Sequence, residues 1–209
     1  MKVYYDASLF GHGGAKRRHA GQPIALEARF DWGGGHFYVP AIYLCAQGVV
    51  LDLLERLDRT RIEAFYEKWR WAQDREPTRQ EQLLLEYENP AQRHIRASLC
   101  INGKTVPARR SSSGCWLPWI QQGADRALET VCDQYGCSRQ YAWTVTRFVF
   151  PWATKRRPRA LSALSLSLCQ TPALLPAAQQ FTTTPGCTPF DVAWTHPQTG
   201  EKSVLHVWS

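Results

Sequence analysis

The sequence predicts a mostly-β or α+β fold: antiparallel, sandwich-like sheets of about eight to ten strands, with three inserted α-helices. Three observations carry that expectation. The most apolar stretch, residues 36–57, is bracketed by turn residues and rich in strand formers. Further short β-branched or aromatic runs recur along the chain, separated by Gly, Pro and Asn. Three segments instead show apolar residues at helical spacing with start or stop residues at their ends.

Residues 1–22 read as irregular after a short strand at Lys2–Tyr5, with a basic glycine-rich loop at Gly11–His19. That loop has glycines and a lysine but not the order of a phosphate-cradling loop, so no nucleotide site is expected there. From Pro23 to Asp31, Ile24, Leu26, Ala28 and Phe30 alternate with Ala25, Glu27, Arg29 and Asp31, the period of a strand. Glycines 33–35 then turn the chain into the apolar stretch.

Residues 36–57 approach the ~20 residues a membrane span needs. Pro40, Gln47, Gly48 and Asp52 all fall inside the run, however, and a hairpin turning at Ala46-Gln47-Gly48 accounts for each of them. Pro40 then belongs at an edge or a bulge. Leu44, Val50 and Leu53 are expected in the core, and other layers must cover both faces of these strands.

Two helices follow. Thr60-Arg-Ile-Glu63 has the spacing of a capping box, with Ile62, Phe65, Tyr66 and Trp69 as its apolar stripe. Thr78-Arg-Gln-Glu81 repeats the device, with Leu83, Leu84 and Tyr87 inward, and Asn89-Pro90 ends that helix. Residues 93–101 and 104–109 are expected to pair through Asn102-Gly103, because both residues tolerate the positive φ of a tight hairpin turn. Arg109–Gly114 reads as a loop tip. A third helix is expected from Gln121 to Tyr135, with Gly136 just past its end.

The last third is strand-rich: Tyr141–Phe150, the Leu164/Leu166/Leu168 alternation, Phe190–Trp194 and Ser203–Trp208. With no internal repeat and no low-complexity linker, residues 1–209 are expected to form a single globular domain. The alternative is a subdivision into 1–90 and 91–209.

A content of 44% hydrophobic and 21% charged residues belongs to a folded globular chain and excludes a disordered one. Nine tryptophans read first as core, and second as rings on a ligand face. Met1–Asp6 carries no apolar core followed by a small-residue cleavage site, so no secretory leader is expected. Several of the seven cysteines, Cys45, Cys100 and Cys169 among them, sit in strand patterns. They read as reduced, buried thiols of a cytoplasmic protein with no membrane span.

The net charge of +7 is uneven: residues 90–159 carry twelve basic and three acidic side chains, a local excess of nine. Lys155, Arg156, Arg157 and Arg159 lie together in one loop of that segment and are the candidate nucleic-acid-binding residues. The bland alternative is a solvated loop.

For chemistry, the notable constellation is Asp31-Trp-Gly-Gly-Gly-His36. Glycines let the backbone approach a ligand, and an Asp can orient a His as a base, so Asp31 and His36 are the candidate ligand-binding pair. Cys45 and Cys115 are nucleophile candidates without a nucleophile signature, and the simpler reading of 31–36 is a turn. Cys132 and Cys137 form a close pair, but no second tight pair completes a zinc site. No catalytic residue, metal ligand or cofactor is therefore assigned.

The sequence favours a cytoplasmic, non-enzymatic binding or regulatory module whose partner is a protein or a nucleic acid. The alternative is a nucleic-acid-associated protein using the basic 90–159 segment, and a hydrolase with a site near Asp31 and His36 comes third. Whether the chain is an enzyme is left open.

Overall fold

The computed structural model describes residues 1–5, 9–10, 19–119, 126–154, 156–172, 182, 184–196 and 199–208. Several expected features fall outside them: residues 11–18 of the first basic loop, the start of the third helix at 121–125, and Lys155. The structure is mostly antiparallel sheet with three α-helices, as expected from the sequence. It clusters into two compact units, one of Met1–Glu76 with Glu88–Ala173 and one of Pro77–Tyr87 with Leu174–Ser209.

The first unit begins with three antiparallel strands, β1 (Gln22–Trp32), β2 (Gly35–Leu44) and β3 (Gly48–Leu57). Gly33 and Gly34 make the first turn at φ +54° and +73°, where other residues would be strained. Gly35 must also lack a side chain, since a Cβ there would come within 2.6 Å of the Glu55 carboxylate. Pro40 lies within a stretch where the register shifts against both neighbouring strands, which is how a proline is accommodated in a strand flanked on both sides.

After β3 the chain enters α1 (Arg59–Lys68). Its cap is Asp58 and not Thr60: the Asp58 carboxylate accepts from the Thr60 N–H at 2.7 Å, so the expected capping box is displaced by two residues. Ile62 and Trp69 are buried, but Tyr66 is exposed, so the apolar stripe is narrower than its spacing suggests. The capping box at Thr78 forms as expected ahead of α2 (Arg79–Glu88), with the Thr78 N–H donating to Glu81 at 2.8 Å.

Strands β4 (Ile95–Ile101) and β5 (Lys104–Pro107) form the expected hairpin, with Asn102 and Gly103 both at positive φ. The stretch assigned to a loop tip is instead a strand, β6 (Arg110–Trp116). Its serines have little strand preference of their own, but pairing from Arg110↔Val149 to Trp116↔Trp143 supplies what local propensity does not. The third helix, α3 (Arg126–Gln134), is followed by Gly136 at φ +66°. Strands β7 (Ala142–Pro151) and β8 (Leu164–Gln170) complete the unit.

The strands form a five-stranded sheet in the order β1-β2-β3-β7-β6 and a three-stranded sheet in the order β5-β4-β8. The two meet through one cluster, in which Val49, Leu51, Leu53, Phe148 and Phe150 of the larger sheet join Ala97, Leu99, Ile101 and Val106 of the smaller. The opposite face of the larger sheet is covered by the N-terminal residues Val3 and Tyr5 and by Leu128, Val131 and Cys132 of α3. Leu44, Val50 and Leu53 are buried as expected.

That covered face holds a buried ion pair. Asp52 and Arg147 face each other across β3 and β7. They form two hydrogen bonds of 2.7 Å each, with side chains 0% and 7% exposed. The Tyr135 hydroxyl donates to Asp52 at 2.7 Å and lies 3.0 Å from the Tyr43 hydroxyl. Burial, then the neighbouring Asp52, pushes the Tyr135 phenol well above its ordinary value. Burial works against the Arg147 charge, but the Asp52 carboxylate outweighs it and holds that guanidinium above its ordinary value.

The second unit contains most of α2 and a hairpin of β9 (Phe190–Thr195) and β10 (Lys202–Val207). His196 stacks edge-on against Tyr87 and Trp194. Across the hairpin, Asp191 and His206 face each other at 2.6 Å, both exposed.

All seven cysteines are free; Cys45 and Cys132 are buried, but Cys169 is exposed, contrary to the expectation of a buried thiol. No described helix is long and apolar enough to cross a membrane.

Candidate ligand-binding site

The sheet order leaves β1 and β8 as edge strands on one side of the first unit, and a cleft opens along them. It has a volume of about 510 Å³. Leu26, Ala28, Phe30 and Trp32 of β1 form one wall, Leu164, Leu166 and Leu168 of β8 the other, with Val39 and Leu51 beneath. Among the described residues, Asp31 is the one charged group lining it. The wall residues follow from strand period: every second position of β1 and of β8 points into the space between the sheets. The β1–β2 register shifts between Ala25 and Ala28, with Glu27 at φ +53°, beside the Leu26 and Ala28 positions of this wall.

Asp31 and His36 are brought together as expected. They are directly opposed across the β1–β2 turn, with His36 Nδ1 2.5 Å from Asp31 Oδ1, and their side chains are 79% and 57% exposed. On the other face of the sheet they border a smaller recess of about 210 Å³ with Arg29, Tyr38, Arg56 and Trp143. Asp31 and Phe30 line both cavities. Arg29 stacks over the Tyr38 ring at 4.1 Å. Burial, then the Glu27 carboxylate, raises the Tyr38 phenol above its ordinary value.

The turn carrying this pair is fastened from below by Arg93. Its guanidinium donates to Glu55 at 3.1 Å, to the Gly33 carbonyl at 3.2 Å and to the Gln170 side chain at 2.9 Å, tying turn, β3 and β8 together. Burial raises the Glu55 carboxyl above its ordinary value, although Arg93 pulls it down. Arg93 belongs to no sequence motif. A charged residue between the Asn89-Pro90 stop and a strand was the available signal, but its three partners are 38 to 77 residues away in sequence.

The cysteines weighed as nucleophiles are placed elsewhere. Cys45 is buried among Val3, Tyr43 and Val50, and burial pushes the Cys115 thiol up to about 11. Neither lines the recess beside His36, and its described walls carry no Ser or Thr. The Asp–His geometry by itself is also not distinctive here, because Asp191 and His206 reproduce it on an exposed hairpin.

Of the candidate nucleic-acid residues, Arg156, Arg157 and Arg159 are exposed in the β7–β8 connection, and Arg157 donates to Gln22 at 3.3 Å. They line neither the cleft nor the recess. Among the described residues, no group of three or more His, Cys, Asp or Glu is placed to hold a metal ion. Compared with models of protein families, with curated proteins and with solved structures, the chain matches none.

Proposed function

We propose that the protein is a non-enzymatic binding module that takes the apolar body of a small ligand into the cleft between β1 and β8. The observation that carries this reading is the cleft's lining, among the described residues nine apolar side chains and a single carboxylate around about 510 Å³. Small-molecule sites are typically roughly 300–1,000 Å³, mostly apolar, with a few polar groups fixing orientation. Asp31 fills the orienting role, with His36 holding its carboxylate and Arg93 bracing the turn beneath. The seven free thiols support placing this module in a reducing compartment such as the cytoplasm.

A neutral fluorescent apolar probe, N-phenyl-1-naphthylamine, tests the reading without engaging surface charge. Its emission should rise saturably with the wild-type protein. Ala28→Trp, which fills the cleft from an exposed position of β1, should abolish that rise while leaving the thermal midpoint in place. No saturable binding to the wild type, or equal binding to the folded variant, refutes the reading.

A second reading, association with nucleic acid, draws on the exposure of Arg156, Arg157 and Arg159 in one loop. Neutralising the three should then weaken oligonucleotide binding at low salt, and unchanged binding would remove them from consideration.

A further inference from the structure

The way α3 ends brings two cysteines together. Gly136, at φ +66°, donates its N–H to the Asp133 carbonyl at 3.1 Å, while the Cys137 N–H donates to the Cys132 carbonyl at 2.9 Å. These are the paired hydrogen bonds of a Schellman cap, whose outer bond joins two residues that commonly pack side chain to side chain. Here both of those positions are cysteines. The Cys137–Cys132 backbone bond also keeps their Cα atoms within about 7 Å, the limit beyond which a disulfide cannot close without moving the backbone.

Both thiols belong to one cluster with Leu128, Val131 and Trp143. Cys132 is fully buried, whereas Cys137 is partly exposed between the exposed Gly136 and Ser138. The Cys132 S–H donates to the Cys137 sulfur, and that bond, then burial, holds the Cys132 thiol well above its ordinary value. Arg139 donates to Glu129 and Asp133, so the segment after Cys137 is tied back onto the helix. The result is a reachable thiol with a shielded one already in contact with it. An oxidised cysteine with a second thiol at its side is captured as a disulfide before it can be oxidised further. Cys169, the exposed thiol, stands instead opposite Arg96 in the β4–β8 register.

We propose that Cys132 and Cys137 form a reversible oxidation site, at which a hydroperoxide oxidises Cys137 and Cys132 then closes a disulfide with it. In the first step the Cys137 sulfur attacks a peroxide oxygen. An S–O bond forms, the O–O bond breaks, and with hydrogen peroxide the departing hydroxide takes the thiol proton and leaves as water. In the second step the Cys132 sulfur attacks the sulfur of the Cys137 sulfenic acid. The S–S bond forms as the S–O bond breaks, and the Cys132 proton leaves with the hydroxide as a second water. The two thiols lose two electrons and the peroxide gains them. The site is separate from the apolar cleft and does not depend on a ligand there. It has a structural reporter, since the Trp143 indole donates to the Ser138 carbonyl at 3.0 Å and the same ring walls the recess beside His36. Drawing Cys137 onto Cys132 moves the residue next to that carbonyl, so the recess registers the redox state.

Trypsin releases both cysteines on one peptide, Ala127–Arg139. The full chain should be exposed to hydrogen peroxide, then unfolded, blocked with N-ethylmaleimide, digested and weighed by mass spectrometry. In the wild type most of that peptide should escape blocking and be lighter by two hydrogens, and dithiothreitol added before blocking should restore both thiols. Cys137→Ser should leave Cys132 as a free, blockable thiol. Cys132→Ser should stall Cys137 as a sulfenic acid that dimedone labels; should that variant not fold, Cys132→Ala is held to the same outcome. In NMR spectra of the wild type, the Trp143 indole signal should move on oxidation and return on reduction, and it should stay in place when Cys137→Ser is treated alike. The proposal is overturned if the peptide keeps two free thiols after Cys169 has been oxidised, or if Cys137 passes to the sulfinic acid unbridged. It is equally overturned if Cys132 bridges to Cys115 instead, and an indole signal unmoved by a completed bridge removes the link to the recess.

Discussion

At the centre of the large sheet and at its edge, an aspartate faces a basic side chain across one strand pair, with opposite consequences. Asp52 and Arg147, between β3 and β7, are closed over by Tyr135 and Tyr43 and shut away from water. Asp31 and His36, between β1 and β2, lie open to solvent where two cavities meet. Register alone brings both pairs together, so neither geometry is by itself a sign of function. What separates them is the neighbouring layer: the N-terminal segment and α3 cover the centre, while the edge is left uncovered beside an apolar cleft. The centre is scaffold and the edge is where a ligand has room.

The sharpest way to break this comparison is to unpair the central aspartate. Arg147→Ala should destabilise the protein by about 3–5 kcal/mol in urea unfolding, because a buried carboxylate loses its partner. Replacing both residues, Asp52→Leu with Arg147→Met, should cost much less than either single change, since no buried charge remains. A near-neutral Arg147→Ala would mean that the centre is wetter than its burial indicates. Next in size, Leu53→Ala in the same strand should cost about 2–5 kcal/mol, whereas Leu166→Ala at the half-exposed cleft wall should cost clearly less. Equal losses would erase the distinction between core and edge.

Glu55 lies between the two regions and sharpens the comparison through pH. Its carboxyl is raised by burial, so the folded state holds this proton more tightly than the unfolded chain does. The stability it contributes is therefore full below the unfolded carboxylate value and is lost as pH rises through the folded one. Unfolding free energies between about pH 4 and 7 should fall less steeply in Glu55→Gln than in the wild type, and identical slopes would contradict the assignment. The smallest effect belongs to the exposed pair. Asp31→Asn should change stability by less than about 1 kcal/mol, as exposed ion pairs do, and a larger loss would make the pair structural.

The parts of this architecture that rest on neighbouring residues were legible in the sequence. The glycines at 33–34, Asn102-Gly103 and the Thr78–Glu81 box each encode their turn or cap within a few positions, and the structure follows them. The β6 strand was not legible, since Ser111, Ser112 and Ser113 acquire their extended form from β7, more than thirty residues onward. The Asp52–Arg147 pair had left a trace: each stands among apolar neighbours, in Val-Val-Leu-Asp-Leu-Leu and Arg-Phe-Val-Phe, in a strand buried on both faces, and a charge in that position needs a partner. The meeting of Asp31 and His36 could be read from their hairpin spacing. The cleft could not, because its walls come from β1 and β8 at opposite ends of the first unit, and the same separation hid Arg93.

The most direct measurement of where this protein binds is an NMR titration of methyl-labelled protein with the neutral probe. Shifts are expected to concentrate on Leu26, Leu164, Leu166, Leu168 and the Trp32 indole, with the methyls of Val50, Leu54 and Val145 beside the central pair undisturbed. Perturbations centred on β3 and β7, or none at saturating probe, would contradict the assignment of the open edge as the binding site.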